Sequence, residues 1–280
     1  MRRLITFPAA GEALVGTLDE ASGTTGLLIV SGGNEVRMGA HRGMAMLAAK
    51  AAATGYPVFR FDRRGIGDST GENGGYLSSE AEIAAAAETF RKEADVTRIV
   101  AFGNCDAATA LAFFHSGAGI DALVLANPWT VEQSSDLPPA AAVRARYASK
   151  LRDPREWLRL LRGGVDLGKL LKGLRRASEK SPEGLATRLG LALSEAKVPV
   201  TILLAIGDNT AVAFADAYKG FAFDGVQPKL TLHRLDSASH SFAPASDKDW
   251  LFEQVMSALN ALLPSPRPCA GVHQEAGREV

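Results

Sequence analysis

The sequence predicts an α/β protein with a mainly parallel central sheet, helices on both faces and an inserted helical cap. Short apolar runs typical of buried strands alternate with longer helix-forming segments in both halves of the chain, which requires crossover connections between parallel strands. Between Thr130 and Lys197 this alternation stops, and the composition favours helices alone. We therefore expect an α/β core at 1–130 and 198–263, a helical cap at 131–197 and a flexible tail at 264–280.

The individual elements are predicted from apolar runs, turn residues and helix-capping residues. The run Thr25–Val30 is continuously apolar after its first residue and is expected to be buried on both faces of the sheet. Ser79 and Glu82 form a capping-box pattern at the start of a helix. The other predicted strands are 4–8, 13–18, 57–62, 98–102, 122–126, 198–206 and 230–235. The predicted helices are 41–54, 79–93, 106–115, 140–151, 156–162, 167–180, 185–196, 211–219 and 247–263.

Composition and charge argue against several classes of protein. The 280 residues include 31 Lys or Arg and 31 Asp or Glu, so a nucleic-acid binder is not indicated. No apolar run approaches the roughly 20 residues that span a membrane, and no secretory signal follows Arg2 and Arg3. We expect a cytoplasmic protein with its two cysteines, Cys105 and Cys269, as free thiols, and no metal or cofactor.

The segment from Gly103 to Ala107 carries the strongest chemical signal. An apolar strand ends there in Gly-Asn-Cys-Asp-Ala and a helix follows at once. This matches the strand–nucleophile–helix pattern G-x-S-x-G, with Cys105 in the place of serine and Ala107 in the place of the last glycine. The helix N-terminus favours the reactive thiolate, which the neighbouring charge of Asp106 opposes. The alternative interpretation is a buried structural cysteine.

The partners of this nucleophile are expected later in the chain. His240 lies in a loop between the last predicted strand and the last predicted helix, where the elbow pattern predicts the general base. Asp208 follows the preceding strand and is our first choice for the acid that orients the imidazole. Asp236 and Asp224 remain alternatives, and Asp208 would also suit the N-cap of the helix that follows it.

Two places are expected to supply the backbone N–H donors of an oxyanion hole. One is Asp106, directly after the nucleophile, and the other is the glycine-rich loop after the first buried strand, at Gly33 or Asn34. His41 and Arg42 begin the next predicted helix near the expected pocket. They fit two interpretations equally well, substrate contact or ordinary polar residues at a helix start.

Four segments of the chain form a recognisable combination: 33–42, the turn 61–69 (Phe-Asp-Arg-Arg-Gly-Ile-Gly-Asp-Ser), to which we assign a structural role only, 103–108 and 127–129. Together they resemble one branch of the α/β-hydrolase fold, the exosortase A system-associated hydrolase type 1. The resemblance implies the α/β-hydrolase fold and a cytoplasmic bacterial enzyme linked to exopolysaccharide or envelope biogenesis. We add Trp129 to His41 and Arg42 as expected substrate contacts. The chain departs from the family pattern at Asn34-Glu35, where Pro-Gln is usual, and at Asn104, where an apolar residue is usual.

The expected reaction is acyl transfer to water from an ester, lactone or thioester through an acyl-enzyme on Cys105. An acyltransferase with the same triad and a non-catalytic binding protein on the same fold are the alternatives. The stretch from Arg144 to Arg188 contains 13 Lys or Arg against 5 Asp or Glu. The expected partner of the active site is a small-molecule acyl substrate. The charge of this basic cap fits an acyl-carrier protein, another anionic ligand or a membrane surface, or simply a solvated helix face.

Overall fold

The computed structural model describes residues 1–131, 183–226 and 230–263. Within them, a single sheet contains β1 (Arg2–Ala9), β2 (Glu12–Asp19), β3 (Thr25–Val30), β4 (Val58–Phe61), β5 (Arg98–Asn104), β6 (Ala122–Ala126), β7 (Val200–Ala205) and β8 (Leu230–Leu235). Their spatial order is β1-β2-β4-β3-β5-β6-β7-β8. The pairs β1–β2 and β2–β4 are antiparallel, and every other neighbouring pair is parallel. The prediction of a mainly parallel sheet is confirmed.

Helices cover both faces of this sheet, as predicted. The longer helices of the described residues are α1 (Gly43–Ala53), α2 (Glu80–Ala94), α3 (Asp106–Phe114), α4 (Glu183–Glu195), α5 (Asn209–Ala217) and α6 (Ala245–Ala261). Helices α1 and α6 contribute buried apolar residues to one core layer, and α2, α3, α4 and α5 contribute to the other. Across the described residues, no helix has the length and apolar character that crossing a membrane requires.

Strand β3 shows how the sequence pattern produces this two-layer architecture. All six residues of Thr25–Val30 are buried. Leu28 and Val30 belong to one apolar layer, whereas Leu27 and Ile29 belong to the other. Because successive side chains of a strand point to opposite faces, a strand covered on both sides has to be apolar throughout.

The predicted elements that fall within the described residues lie within two residues of their observed bounds. The start of α1 shows why one boundary moved. His41 and Arg42 have positive φ angles of 51° and 59°, so the α-helix begins only at Gly43, after a short 3-10 helix. Non-glycine residues rarely adopt this left-handed conformation, and a helix cannot propagate through it.

The predicted capping box at the start of α2 is wrong. Ser79 does occupy the N-cap position, but its hydroxyl donates to the carbonyl of Tyr76 at 2.6 Å and caps no helical N–H group. The carboxylate of Glu82 accepts hydrogen bonds from the Arg64 backbone N–H (3.1 Å) and from Arg64 Nε (2.6 Å). A charged partner from a distant turn therefore outcompetes the local backbone donor.

Most of the predicted cap lies outside the described residues. This applies to the predicted helices 140–151, 156–162 and 167–180, to the tail 264–280 and to Cys269. The predicted helix 185–196 is present as α4, whose Leu189 and Leu193 are buried in the same apolar layer as α3. The boundaries of the cap remain a prediction.

The carboxyl ends of the parallel strands bring distant loops to one edge of the sheet. The loops after β3, β5, β7 and β8 carry Gly33, Cys105, Asp208 and His240, respectively. In parallel α/β sheets this edge is where ligands bind. The fold therefore gathers the residues that the sequence selected one by one.

Replacing Gly26 by alanine is expected to lower the free energy of unfolding by about 1–3 kcal/mol, the usual effect of overpacking a core. A Cβ at Gly26 would overlap the ring of Phe90 and come within 2.9 Å of Val96 Cγ1. Urea denaturation measures the effect. Gly225→Ala is the matched control, because a Cβ there meets no atom within 4 Å. Equal unfolding midpoints for the two variants would contradict the packing described for β3.

Candidate active site

Cys105 occupies a sharp turn between β5 and α3. Its backbone has φ 61° and ψ −126°, which is a strained conformation for a residue other than glycine. Two backbone hydrogen bonds hold the turn: Cys105 N–H donates to the Ala126 carbonyl (3.0 Å), and Trp129 N–H donates to the Cys105 carbonyl (3.2 Å). The side chain is half-buried. The thiol is thus presented at the head of a helix, outside the apolar core.

Small residues around this turn are required by close backbone approaches. A Cβ at Gly103 would come within 2.9 Å of the Ala107 carbonyl carbon and of Leu111 Cδ1. A Cβ at Gly32 would lie 2.5 Å from the Asn104 carbonyl oxygen. The loop after β3 therefore packs directly against the turn that carries Cys105, and side chains at these positions would force the two apart.

The structure brings His240 and Asp208 together. Nδ1 of the imidazole lies 3.0 Å from Asp208 Oδ2. The same carboxylate oxygen accepts hydrogen bonds from the N–H groups of Thr210 and Ala211, both at 3.2 Å, as the N-cap of α5. Asp208 therefore combines two arrangements that the sequence offered as alternatives. Asp236 and Asp224, the competing carboxylates, are both exposed to solvent.

The environment of His240 favours the charged imidazole. The hydrogen bond that the ring donates to Asp208, and after it the interaction with Cys105, raise the pKa of His240 from 6.5 to about 10, against the opposing effect of burial. The negative charge of each partner adds to the increase. The ring is still 39% exposed, so solvent screens part of this interaction. The raised pKa therefore favours the charged form of His240 at neutral pH.

Two asparagines that the sequence interpretation missed hold the backbone of His240 in place. Asn127 is fully buried and has a positive φ of 42°. Its amide nitrogen donates to Asn104 Oδ1 (3.1 Å) and to the His240 carbonyl (3.4 Å), and its oxygen accepts from Ala205 N–H (2.9 Å). Asn104 Nδ2 donates to the same His240 carbonyl at 3.0 Å. The available signal was an asparagine at the carboxyl end of each of two neighbouring buried strands, Asn104 as the last residue of β5 and Asn127 directly after β6.

The predicted oxyanion donors lie beside the thiol, but one of them is already engaged. Gly33 N–H donates to Oδ1 of the Asp106 side chain at 2.7 Å. The side chain of Asn34 faces a different loop, where its oxygen accepts from Asn73 Nδ2 at 2.9 Å. Of the two positions predicted for the second donor, Gly33 and Asn34, the backbone N–H of Gly33 is therefore occupied by the residue next to Cys105.

Arg63 is a further residue of this region that the sequence interpretation did not select. Arg63 lies in the turn 61–69, to which the sequence interpretation assigned a structural role. Asp62 has such a role, because it accepts hydrogen bonds from the backbone N–H groups of Arg37 (2.5 Å) and Asp68 (3.1 Å). In addition, the buried Arg63 guanidinium donates to the Gly33 carbonyl and lies 3.8 Å from Asp106 Oδ2. The turn thus reaches the loop next to Cys105.

The three residues predicted to contact substrate are placed differently. Both His41 and Arg42 are exposed. Arg42 lines a cavity of about 560 Å³ that none of Cys105, Asp208 and His240 lines. Trp129 is tied to the turn through its backbone, since its carbonyl accepts from Thr109 Oγ1 at 2.7 Å. Substrate contact by these three residues remains a prediction.

Comparisons with known proteins identify the fold. No family model matches the chain, and no curated protein matches its sequence. An esterase of Pyrococcus furiosus is 16% identical, with 93% of this chain and 90% of that chain covered and a TM-score of 0.63. The thioesterase domain of the curacin biosynthetic pathway is 13% identical, with coverages of 91% and 99% and a TM-score of 0.58. A lid-less serine hydrolase of Xanthomonas campestris is 12% identical, with coverages of 95% and 97% and a TM-score of 0.56. These likenesses confirm the predicted α/β-hydrolase fold.

Asp208→Asn is expected to lower Tm more at pH 6 than at pH 10.5. The amide keeps an acceptor for the α5 cap but lacks the charge that raises the pKa of His240. Because that pKa rises from 6.5 to about 10 on folding, the pair stabilises the fold fully below pH 6.5 and loses this effect as the pH rises through about 10. Thermal denaturation of both proteins at each pH measures the difference. A loss in Tm that is the same at both pH values would contradict the ion pair.

Asn127→Ala is expected to lower the free energy of unfolding by about 1–3 kcal/mol, because it leaves the buried Ala205 N–H without its acceptor. Urea denaturation measures this change. The matched control is Asn73→Ala, which removes two exposed hydrogen bonds, one donated to Asn34 and one accepted from Gly75 N–H, and should change the free energy by no more than about 0.5 kcal/mol. If Asn127→Ala were as stable as this control, the hydrogen bonds of Asn127 would not stabilise the fold around the His240 loop.

Proposed function

We propose that this protein is a hydrolase that cleaves an ester, lactone or thioester through an acyl-enzyme on Cys105. One observation carries the proposal: the half-buried thiol lies in a strained turn at the head of α3, and Nδ1 of His240 lies 3.0 Å from the Asp208 carboxylate. The influence of Cys105 on the pKa of His240 supports an interaction between the two side chains. Nucleophile, acid and base follow one another along the chain in the order that the elbow pattern predicts. The catalytic roles are those of nucleophile for Cys105, base for His240 and orienting acid for Asp208.

Acylation begins with a negatively charged sulfur. The imidazolium of His240 stabilises this charge, and the N-terminus of α3 adds to the effect. Sγ of Cys105 attacks the carbonyl carbon, and the π electrons of the C=O bond move to the oxygen. The N–H groups of Asp106 and Gly33 are the proposed donors to this oxyanion. When the intermediate collapses, the bond to the leaving group breaks, and the leaving oxygen or sulfur takes the proton from His240.

Deacylation reverses these roles. Neutral His240 accepts a proton from water, whose oxygen attacks the thioester carbonyl of the acyl-enzyme. The C–S bond then breaks, which releases the carboxylic acid and returns the electron pair to Cys105. Asp208 keeps the ring oriented and stabilises its charged form in both half-reactions. A substrate hydroxyl in the place of water would make the same groups an acyltransferase.

The comparisons support acyl chemistry in general terms. The similar Pyrococcus furiosus protein is an esterase and the curacin domain is a thioesterase. The Xanthomonas campestris protein is a serine hydrolase, so the cysteine nucleophile is proposed from this chain's own residues. We propose a cytoplasmic location and a link to exopolysaccharide or envelope biogenesis on the basis of the sequence resemblance, and a small-molecule acyl substrate on the basis of the nucleophile pattern. An acyl-carrier or other anionic partner at the basic stretch 144–188 is proposed from its charge alone.

One observation favours the alternative of a non-catalytic binding protein on the same fold. Because Gly33 N–H is occupied by the Asp106 carboxylate, the resting site does not offer this donor to an oxyanion. A fold shared with enzymes does not by itself imply activity. The two alternatives are distinguished by whether Cys105 forms an acyl adduct.

Cys105→Ala is expected to abolish hydrolysis of p-nitrophenyl esters and acyl thioesters, with a loss of at least ~10³-fold in kcat/KM. In the second variant, His240→Ala, kcat/KM should fall by a similar factor, because nucleophile and base act as a unit. Cys269→Ala is the matched control and should keep the wild-type rates. Intact-protein mass spectrometry with each substrate should show an acyl adduct on Cys105. Turnover by Cys105→Ala, or an adduct on Cys269 alone, would contradict the proposed function.

A further inference from the structure

The Asp106 carboxylate connects the nucleophile turn to the glycine-rich loop and to Arg63. Its Oδ1 accepts the Gly33 N–H at 2.7 Å, and its Oδ2 lies 3.8 Å from Nη2 of Arg63. The Arg63 guanidinium in turn donates to the Gly33 carbonyl. The side chain of Asp106 is only 17% exposed and that of Arg63 only 4%. The contact between the two charged side chains is therefore largely shielded from water, which strengthens it, whereas the hydrogen bond from Gly33 N–H is exposed.

The contact between Asp106 and Gly33 has the geometry of an oxyanion contact. Donors of an oxyanion hole lie about 2.7–3.1 Å from the negatively charged oxygen of the transition state. The observed 2.7 Å contact puts a charged oxygen of the protein itself on the Gly33 N–H. One N–H group cannot donate fully to two oxygens, and two negative oxygens at one donor repel each other. The carboxylate thus excludes the oxyanion that the reaction needs to form there.

Arg63 has a free donor that suits the displaced carboxylate. Among the described residues, its Nη1 is one of two buried side-chain polar atoms without a hydrogen-bond partner. A buried unpartnered donor is costly, so a state in which it gains an acceptor is favoured. The other terminal nitrogen of the same guanidinium, Nη2, lies 3.8 Å from Asp106 Oδ2, so a shift of about 1 Å would bring the carboxylate within hydrogen-bond distance of Arg63.

We propose that Asp106 is a positioning residue that gates the oxyanion hole, and that Arg63 receives its carboxylate when the hole opens. In the resting protein the carboxylate blocks Gly33 N–H, and in the reacting complex it moves to the Arg63 guanidinium and frees that donor. This inference rests on the proposed function, because the oxyanion forms only if Cys105 attacks a carbonyl.

The gate has a consequence for the substrate class. Opening it costs free energy, which binding of groups remote from the scissile bond must supply. Substrates with an extended part that contacts the protein are therefore favoured over small activated esters, which have little binding energy to contribute. Removing the Asp106 carboxylate should therefore increase the rate of hydrolysis most for small esters.

Two reagents that react with Cys105 distinguish an effect on the oxyanion hole from an effect on the nucleophile. A trifluoromethyl ketone adds Sγ of Cys105 to its carbonyl carbon and turns the carbonyl oxygen into an oxyanion, so its affinity reports the hole. Iodoacetamide alkylates the same sulfur with loss of iodide and forms no oxyanion, so its rate reports the thiolate. We expect Asp106→Ala to bind the ketone about 10–100-fold more tightly, the effect of restoring one oxyanion donor. Its alkylation rate should change much less.

Asp106→Asn is the matched control for charge, since its amide oxygen still accepts from Gly33 N–H. We expect a smaller gain in ketone affinity for this variant than for Asp106→Ala. Arg63→Gln should weaken ketone binding in the wild-type background and have no effect in the Asp106→Ala background, because there is no carboxylate to receive. Thermal denaturation of each variant verifies that it is folded.

The outcomes distinguish failure of the gate from failure of the proposed function. If iodoacetamide labels Cys105 in a His240-dependent manner but Asp106→Ala binds the ketone no more tightly than wild type, the gate is wrong and the hydrolase proposal stands. If Arg63→Gln weakens ketone binding equally in both backgrounds, Arg63 acts only on the Gly33 loop, and its receiving role is overturned. If Cys105 is not labelled in preference to Cys269, the proposed function fails, and the gate fails with it.

Discussion

The contact between Asp208 and His240 joins the loops that follow β7 and β8, and the arrangement of the site depends on it. The position of Asp208 does not depend on the imidazole alone, because its side chain caps α5 and is buried. Asn104 and Asn127 hold the backbone of His240 from the other side. The imidazole is therefore restrained both at its Nδ1 atom and through the main chain of His240.

Two carboxylates next to this site have opposite effects, and their positions on the backbone explain the difference. Asp208 lies before the first turn of a helix and is held by two backbone N–H groups, so its charge is available to the imidazolium. Asp106 lies inside the first turn of α3, one residue after Cys105, where its side chain reaches the loop after β3. The charge of Asp208 faces the imidazole of His240, whereas that of Asp106 engages the Gly33 N–H. In the proposed mechanism the first contact supports the base and the second competes with the oxyanion.

Patterns along the chain predicted the elements well where local physical chemistry dominates. The both-sided burial of β3 required a continuous apolar run, and the sharp turn at Cys105 required small residues around it. The prediction failed where a distant partner intervened. Glu82 was expected to cap its own helix, but Arg64 offers it a charge-assisted hydrogen bond that no local pattern reveals. The same limit hid Arg63, whose turn has a clear structural role in sequence and a second contact only in three dimensions.

The sequence by itself determined the succession of strands and helices along the chain, the two-layer core and the turn that presents Cys105. The reason is that apolar periodicity and residue size act between near neighbours. Only the tertiary structure decided which carboxylate meets His240, since Asp208 and Asp236 both lie near strand ends and are separated by burial and contact alone. It also decided that Asp106 meets Gly33, 73 residues away in the chain. Hydrogen bonds depend on distances accurate to a few tenths of an ångström, which chain order does not specify.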